Sequence, residues 1–345
     1  MKFKAAILRS QRQPLSIETL SVPDELTSGQ VLVRVKRSGI CGAQLGEIAG
    51  VKGEDKYMPH LMGHEGAGVV ESIGPGVKHV QVGDHVVMHW RKGVGIESEP
   101  PKYIDAVGLP VGGGWVTTFN EMAVVSENRL TAIAKDIPLT IAALMGCAIT
   151  TALGVINNEA QIKFGQSVAV IGCGGVGLAI IRAAAMAQAN PIIAIDKIEE
   201  KARFATKFGA DFTSDRLGIM REYCPKGFDV VIDTTGVPEV IEAAYAATAS
   251  PGKTLLVAQM PHGRTAAIQT LPMQAGRVLM GSDGGGTIPS IDIPRYLRLF
   301  SAKKLNLDGF VNERNHYRLE DINTALDAVR AGGEIRCMID MEEMC

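Results

Sequence analysis

Cys41, His64 and Cys147 of this 345-residue sequence are side chains whose types suit a transition metal. His64 stands in Gly63-His64-Glu65-Gly66-Ala67-Gly68, Cys41 in Ser38-Gly39-Ile40-Cys41-Gly42, and Cys147 in Leu144-Met145-Gly146-Cys147-Ala148. A histidine alone in such a setting is more often a packed core residue. Two thiolates and an imidazole together are a tetrahedral zinc set lacking one member, which is how a catalytic site leaves room for water or substrate. An ion held this way acts as a Lewis acid on a substrate oxygen.

A second constellation is contiguous. The apolar run Ser167–Ile171 leads into Gly172-Cys173-Gly174-Gly175-Val176-Gly177 and then into an alanine-rich helical segment. In that order Gly172 permits a tight turn, Gly174 lets the backbone approach a pyrophosphate, and Gly177 lets helix and strand pack closely. The N–H groups of Gly175, Val176 and the rest of the helix N-terminus face the anion. The next apolar run, Pro191–Ile195, ends in Asp196, where a carboxylate can accept hydrogen bonds from both ribose hydroxyls and would repel a 2′-phosphate. NAD is therefore expected over NADP, although Lys197 follows directly.

The elements that must position these groups come in two grains. Up to about residue 148 the chain reads as short β segments broken by glycine and proline, such as Val31-Leu32-Val33-Arg34-Val35, an antiparallel pattern. From Ser167 onward apolar strands alternate with helices, the signature of a parallel sheet covered on both faces. Its strands are expected at Ser167–Gly172, Pro191–Asp196, Phe228–Thr234, Lys253–Ala258 and Arg277–Gly281. A helix over Leu319–Val329 stops at Gly332-Gly333, before a strand at Ile335–Met341. His89–Gly114 and Gly281–Pro289 read as loops, the first long enough to suggest function.

Bulk properties narrow the class. A chain of 345 residues exceeds the size of a single core, so two domains are expected. Charged residues make up 21% and nearly cancel, to a net charge of −2, which gives no general attraction to nucleic acid or an anionic membrane. No signal-peptide or membrane-spanning stretch is found, and six scattered cysteines resemble thiols and ligands more than a disulfide framework. A cytoplasmic location is expected.

These motifs together resemble the zinc-dependent medium-chain alcohol dehydrogenases over essentially the whole chain. The resemblance rests on Gly63-His64-Glu65, on Cys41 and Cys147, and on the Gly172–Gly177 turn with Asp196. Thr151, Lys201 and Gly333-Glu334-Ile335-Arg336 add to it. It implies an α/β protein in which a Rossmann doubly wound parallel sheet (149–285) is inserted into a GroES-like antiparallel β catalytic domain (1–148 and 286–345). It further implies that Cys41, His64 and Cys147 hold zinc, with Glu65 beside it, either supporting the ligands from behind or exchanging in as one. Thr151 would touch the nicotinamide, Lys201 the adenosine ribose and Arg336 the pyrophosphate. Ala43, Trp90 and Phe119 would face the substrate, a secondary, polyol or sugar-type alcohol. The Thr254–Gly281 region would join copies into a homodimer or homotetramer.

The sequence also departs from that family. No cysteine lies between Cys41 and Cys147, so the four-cysteine lobe for a structural zinc is missing and one zinc per chain is expected. Ala43 stands where a serine or threonine usually passes the alcohol proton outward. Gln44 replaces an aspartate that would orient the metal-bound histidine. His89 or an ordered water could take over proton transfer, and Arg91 with Lys92 could hold an anionic group on the substrate. Alternation along the strand would turn His89 away from a pocket faced by Trp90, and a solvated loop tip is the favoured reading of the two cations. Two other readings stay open: a zinc-free quinone-reductase-like enzyme, disfavoured by the retained ligand set, and a non-catalytic NAD(H)-binding relative, favoured by Ala43 and Gln44.

Overall fold

Strand Gln30–Gly39 is the hub of the first sheet in the computed structural model, which describes residues 1–311, 313–332 and 334–341. It pairs antiparallel with Glu65–Ile73, with Met122–Ser126 over residues 30–34, and with Met338–Asp340 over residues 37–39. The sheet continues through His85–His89 to Leu130–Ile133 on one side and reaches His316–Arg318 on the other. Val31, Val33 and Val35 pack with Val70, Val86 and Met88 in its core. Each such side chain, fully buried, contributes about 1.5–3 kcal/mol relative to exposure.

A small closed barrel stands in the same unit, built from Lys2–Leu8, Ser16–Ser21, Lys102–Ile104, Pro110–Gly112 and His60–Leu61. Two of these strands lie inside the segment expected to be a loop, and the expectation for 89–114 is corrected accordingly. Tyr103 and Val111 are buried between more exposed neighbours, but three residues are too few for a period of two to be read from sequence. Tyr103 packs edge-on against Phe3 at 5.4 Å, and its hydroxyl oxygen accepts the Val124 N–H at 2.8 Å. The turn between the strands is tied by Asp105, whose carboxylate accepts the N–H groups of Val107 and Leu109.

The chain divides into two units, Met1–Thr150 with Ile288–Cys345, and Thr151–Thr287. Among the described residues the second unit forms a six-stranded parallel sheet. Its order is Phe212–Ser214, Ile192–Ile195, Val168–Ile171, Phe228–Asp233, Thr248–Leu256 and Arg277–Gly281. The three-residue edge strand Phe212–Ser214 was not among the expected strands, and Thr248–Leu256 begins ahead of the expected Lys253. Val168–Ile171 is flanked by Ile192–Ile195 and Phe228–Asp233, so the strand order reverses beside it and the glycine turn sits at that switch point. In the first unit helix Ile322–Ala331 ends on Gly332 at φ 76°. Gly333, the other half of the expected helix stop, lies outside the described residues. Among the described residues no helix is long and apolar enough to cross a membrane.

Candidate active site

Cys41, His64 and Cys147 offer ligand atoms that all lie within 4.8 Å of one another. Cys41 caps the N-terminus of helix Gly42–Ala49, just past the end of the hub strand. His64 sits between strands His60–Leu61 and Glu65–Ile73, and Cys147 between helices Leu139–Leu144 and Ala148–Gly154. Glycines let these turns close. Gly63 has φ 88°, and a Cβ there would stand 2.3 Å from the Thr118 hydroxyl oxygen; a Cβ on Gly146 would stand 2.3 Å from the Met88 carbonyl oxygen.

The electrostatics of the cluster suit metal ligation. The Cys41 thiol is held well below its ordinary pKa, first by the hydrogen bond from Cys147 and then by His64 and Arg336, while Cys147 as donor is pushed well above. Burial works against a charged His64, but the bond and charge of the Cys41 thiolate outweigh it and raise the imidazole. A thiolate, a second thiol and an imidazole at this spacing are donors a tetrahedral zinc ion accepts.

Glu65 and Arg336 lie against this cluster. Burial pushes the Glu65 carboxyl up to about 7, and the Arg336 charge opposes that rise. Glu65 Oε1 accepts from Arg336 Nη1 at 2.6 Å, and Oε2 accepts the Ala148 N–H at 3.2 Å. Arg336 Nη1 also donates to the Ile40 carbonyl at 2.9 Å. Gln44 is fully buried; its Oε1 accepts the Cys41 N–H at 2.8 Å and its Nε2 faces His64 Nδ1. An amide thus occupies the place where the resemblance had a carboxylate. Glu47, Asp55 and His60 form a second cluster, in which His60 already donates to the Leu61 carbonyl and pairs with Asp55.

In the second unit the glycine turn has the geometry expected of it. Gly172 has φ 97°, and a Cβ on Gly177 would lie 1.8 Å from the Gly172 carbonyl oxygen, so both positions exclude side chains. Gly174, by contrast, faces open space, and it caps helix Gly175–Met186. That is an unfilled cradle at a helix N-terminus, suited to a phosphate. Asp196 accepts the N–H groups of Cys173 and Ile198, which fixes its carboxylate beside the turn. Lys201 is partly exposed on helix Glu199–Phe204, and Thr151 is buried in helix Ala148–Gly154.

Arg336 and Phe119 sit elsewhere than expected. Arg336, expected on a pyrophosphate, is only 3% exposed and is committed to Glu65 and Ile40. Phe119, expected to line a substrate pocket, is fully buried in the core with Leu8, Ile40 and Met62, because its segment is tied to the Met62 carbonyl and turns its ring inward. Trp90 is at the surface, stacked with Arg91, and Ala43 is exposed in the first turn of its helix. His89 does not serve as a relay. Its Nδ1–H donates to the Arg91 carbonyl at 2.8 Å, its Nε2 accepts from the Thr131 hydroxyl at 2.9 Å, and burial lowers its pKa to about 4. Lys92 is paired with Glu97. Gln44 stands against His64 as the replaced aspartate was expected to, whereas the Glu65–Arg336 pair was missed from sequence.

Residues 27–135 match the family described as alcohol dehydrogenase GroES-like domain, and residues 175–302 that described as zinc-binding dehydrogenase. The chain is 31% identical to the probable S-(hydroxymethyl)glutathione dehydrogenase 1 of Schizosaccharomyces pombe, covering 99% of this chain and 97% of that relative. Among solved structures it is similar to an alcohol dehydrogenase zinc-binding domain protein from Burkholderia ambifaria, at TM-score 0.89 and 27% identity over 99% of this chain and 100% of that one. It is also similar to benzyl alcohol dehydrogenase from Acinetobacter calcoaceticus, at TM-score 0.88 and 25% identity with the same coverage. With the ligand cluster and the glycine turn in place, the chain belongs to the zinc-dependent medium-chain alcohol dehydrogenase family and is an oxidoreductase.

Proposed function

We propose that this chain transfers a hydride between an uncharged alcohol and NAD, with one zinc ion held by Cys41, His64 and Cys147 and with Glu65 beside it. The observation that carries this reading is the convergence of those three ligand atoms within 4.8 Å, two of them on sulfur. When bound, zinc supplies Lewis acidity at the substrate oxygen. The chain's own residues prepare the place: Cys41 enters as a thiolate, Cys147 gives up the proton it shares with Cys41, and Arg336 holds Glu65 within reach of the ligands.

For the cofactor, Gly172, Gly174, Gly175, Val176 and Gly177 would cradle the pyrophosphate, with Asp196 and Lys201 on the adenosine ribose and Thr151 at the nicotinamide. The fixed Asp196 carboxylate supports NAD over NADP. Arg336 is given to Glu65 in this reading and not to the pyrophosphate.

A single zinc per chain is supported by the absence of any cysteine between Cys41 and Cys147. A buried carboxylate organises the segment instead: Glu127 accepts the N–H groups of Lys78, His79 and Ile96. The ties of Lys92 to Glu97 and of Arg91 to Trp90 favour an uncharged secondary, polyol or sugar-type alcohol over an anionic one. A second copy would dock along edge strand Arg277–Gly281, beside the exposed Leu271, Met273 and Val278. The free cysteines suit the cytoplasm.

Ala43 favours one other reading, a relative that binds NADH and zinc without turnover, because it offers no hydroxyl where the alcohol proton would leave. A panel of uncharged alcohols with NAD and zinc-loaded protein separates the two. NADH formation that disappears in Cys41→Ser supports the dehydrogenase; NADH and zinc binding with no turnover on any alcohol supports the relative.

A further inference from the structure

The buried Gln44 amide has only one orientation compatible with its neighbours. A peptide N–H can only donate, so the amide atom 2.8 Å from the Cys41 nitrogen is the carbonyl oxygen. The NH2 group therefore faces His64 Nδ1. An amide NH2 can only donate, so this contact is a hydrogen bond only when His64 Nδ1 carries the lone pair and Nε2 the hydrogen. With Nδ1 against Gln44, Nε2 is the ring nitrogen left for the cluster with Cys41 and Cys147.

A metal bound through Nε2 needs the opposite arrangement. The lone pair must lie on Nε2, so the ring hydrogen moves to Nδ1 and meets the Gln44 NH2, donor against donor. Turning the amide over satisfies the ring but sets NH2 against the Cys41 N–H. One buried donor is left without an acceptor in either case, whereas a carboxylate at this position would accept from both.

We propose that Gln44 is a positioning residue that holds His64 in the tautomer opposed to metal binding, so that this chain holds its zinc more loosely than one with a carboxylate at position 44. The inference rests on the proposed metal site. Gln44 is fully buried and its helix contact to Cys41 is a capping box, so a glutamate of the same length fits the same space and keeps the bond to the Cys41 N–H.

The test is zinc affinity by chelator competition for wild type, Gln44→Glu and Cys41→Ser, together with 15N NMR of the His64 ring in metal-free wild type. The expected results are a dissociation constant about 10–100-fold lower in Gln44→Glu than in wild type, and an unprotonated Nδ1 in the metal-free protein. Equal or weaker binding in Gln44→Glu while Cys41→Ser still abolishes it, or a protonated Nδ1 in wild type, would overturn the inference and leave the metal site standing. Binding that Cys41→Ser does not weaken would overturn both. The NMR arm uses wild type alone, so it decides the matter even where Gln44→Glu fails to fold.

Discussion

Arg336 Nη1 and Glu65 Oε1 meet at 2.6 Å across 271 residues of chain, with side chains 3% and 0% exposed. The pair joins the C-terminal segment to the strand that follows His64, and it holds a carboxylate beside the metal ligands. Removing one member strands the other charge in the interior. Arg336→Met is expected to cost about 3–5 kcal/mol in urea unfolding, and the double variant with Glu65→Gln to recover part of that loss. Equal midpoints for wild type and Arg336→Met would show that the pair contributes little.

Gly174 and Gly177 separate cofactor binding from folding. Gly177→Ala drives a Cβ to 1.8 Å from the Gly172 carbonyl oxygen and should destroy the turn, with loss of both stability and NADH binding. Gly174→Ala meets nothing in the protein, so its melting temperature should stay close to wild type while NADH affinity drops at least ten-fold, because the methyl group occupies the phosphate's approach. Unchanged NADH affinity in Gly174→Ala would place the pyrophosphate elsewhere.

His89 gives a pH dependence of known sign. Burial lowers its pKa to about 4, below the ordinary 6.5 or so of an unfolded chain. The unfolded state therefore binds the proton first as pH falls. Stability is fully present above about 6.5, is lost as pH drops toward about 4, and falls no further on this account; the total is about 3 kcal/mol. Urea midpoints at pH 7 and pH 5 should show the decline, and His89→Gln should flatten it. The same variant should leave the pH–rate profile near neutrality unchanged, since both ring nitrogens are occupied.

Glu127 accepts three backbone N–H groups, those of Lys78, His79 and Ile96. Glu127→Ala is expected to lower stability by about 1–3 kcal/mol and to speed proteolysis in the segment around Ile96. A variant as stable and as protease-resistant as wild type would show that the segment is held by other contacts.

The glycine turn could be read from sequence because strand, turn, helix and acid are consecutive, so local order carries the whole geometry. The cluster of Cys41, His64 and Cys147 could be read because thiol and imidazole are rare and chemically particular, even though their spacing alone does not bring them together. The Arg336 contact was beyond reach for the opposite reason: nothing local tells an arginine near the C-terminus whether it faces a phosphate or a carboxylate 271 residues away. Phe119 was misplaced because an aromatic residue suits a core and a pocket wall equally, and packing decides between them. Lys102–Ile104, Pro110–Gly112 and Phe212–Ser214 are too short to display a period. Gln44 was read as a loss, since the consequence of an amide depends on which donor already occupies its oxygen.

Zinc titration into chelator-treated protein, with NAD and an uncharged alcohol present and NADH formation as the readout, tests the central claim most directly. Activity should rise from none to a plateau at one zinc per chain and should not return in Cys147→Ser at any zinc level. NADH formation that is already complete in the metal-free protein, or that rises identically in Cys147→Ser, would contradict the account.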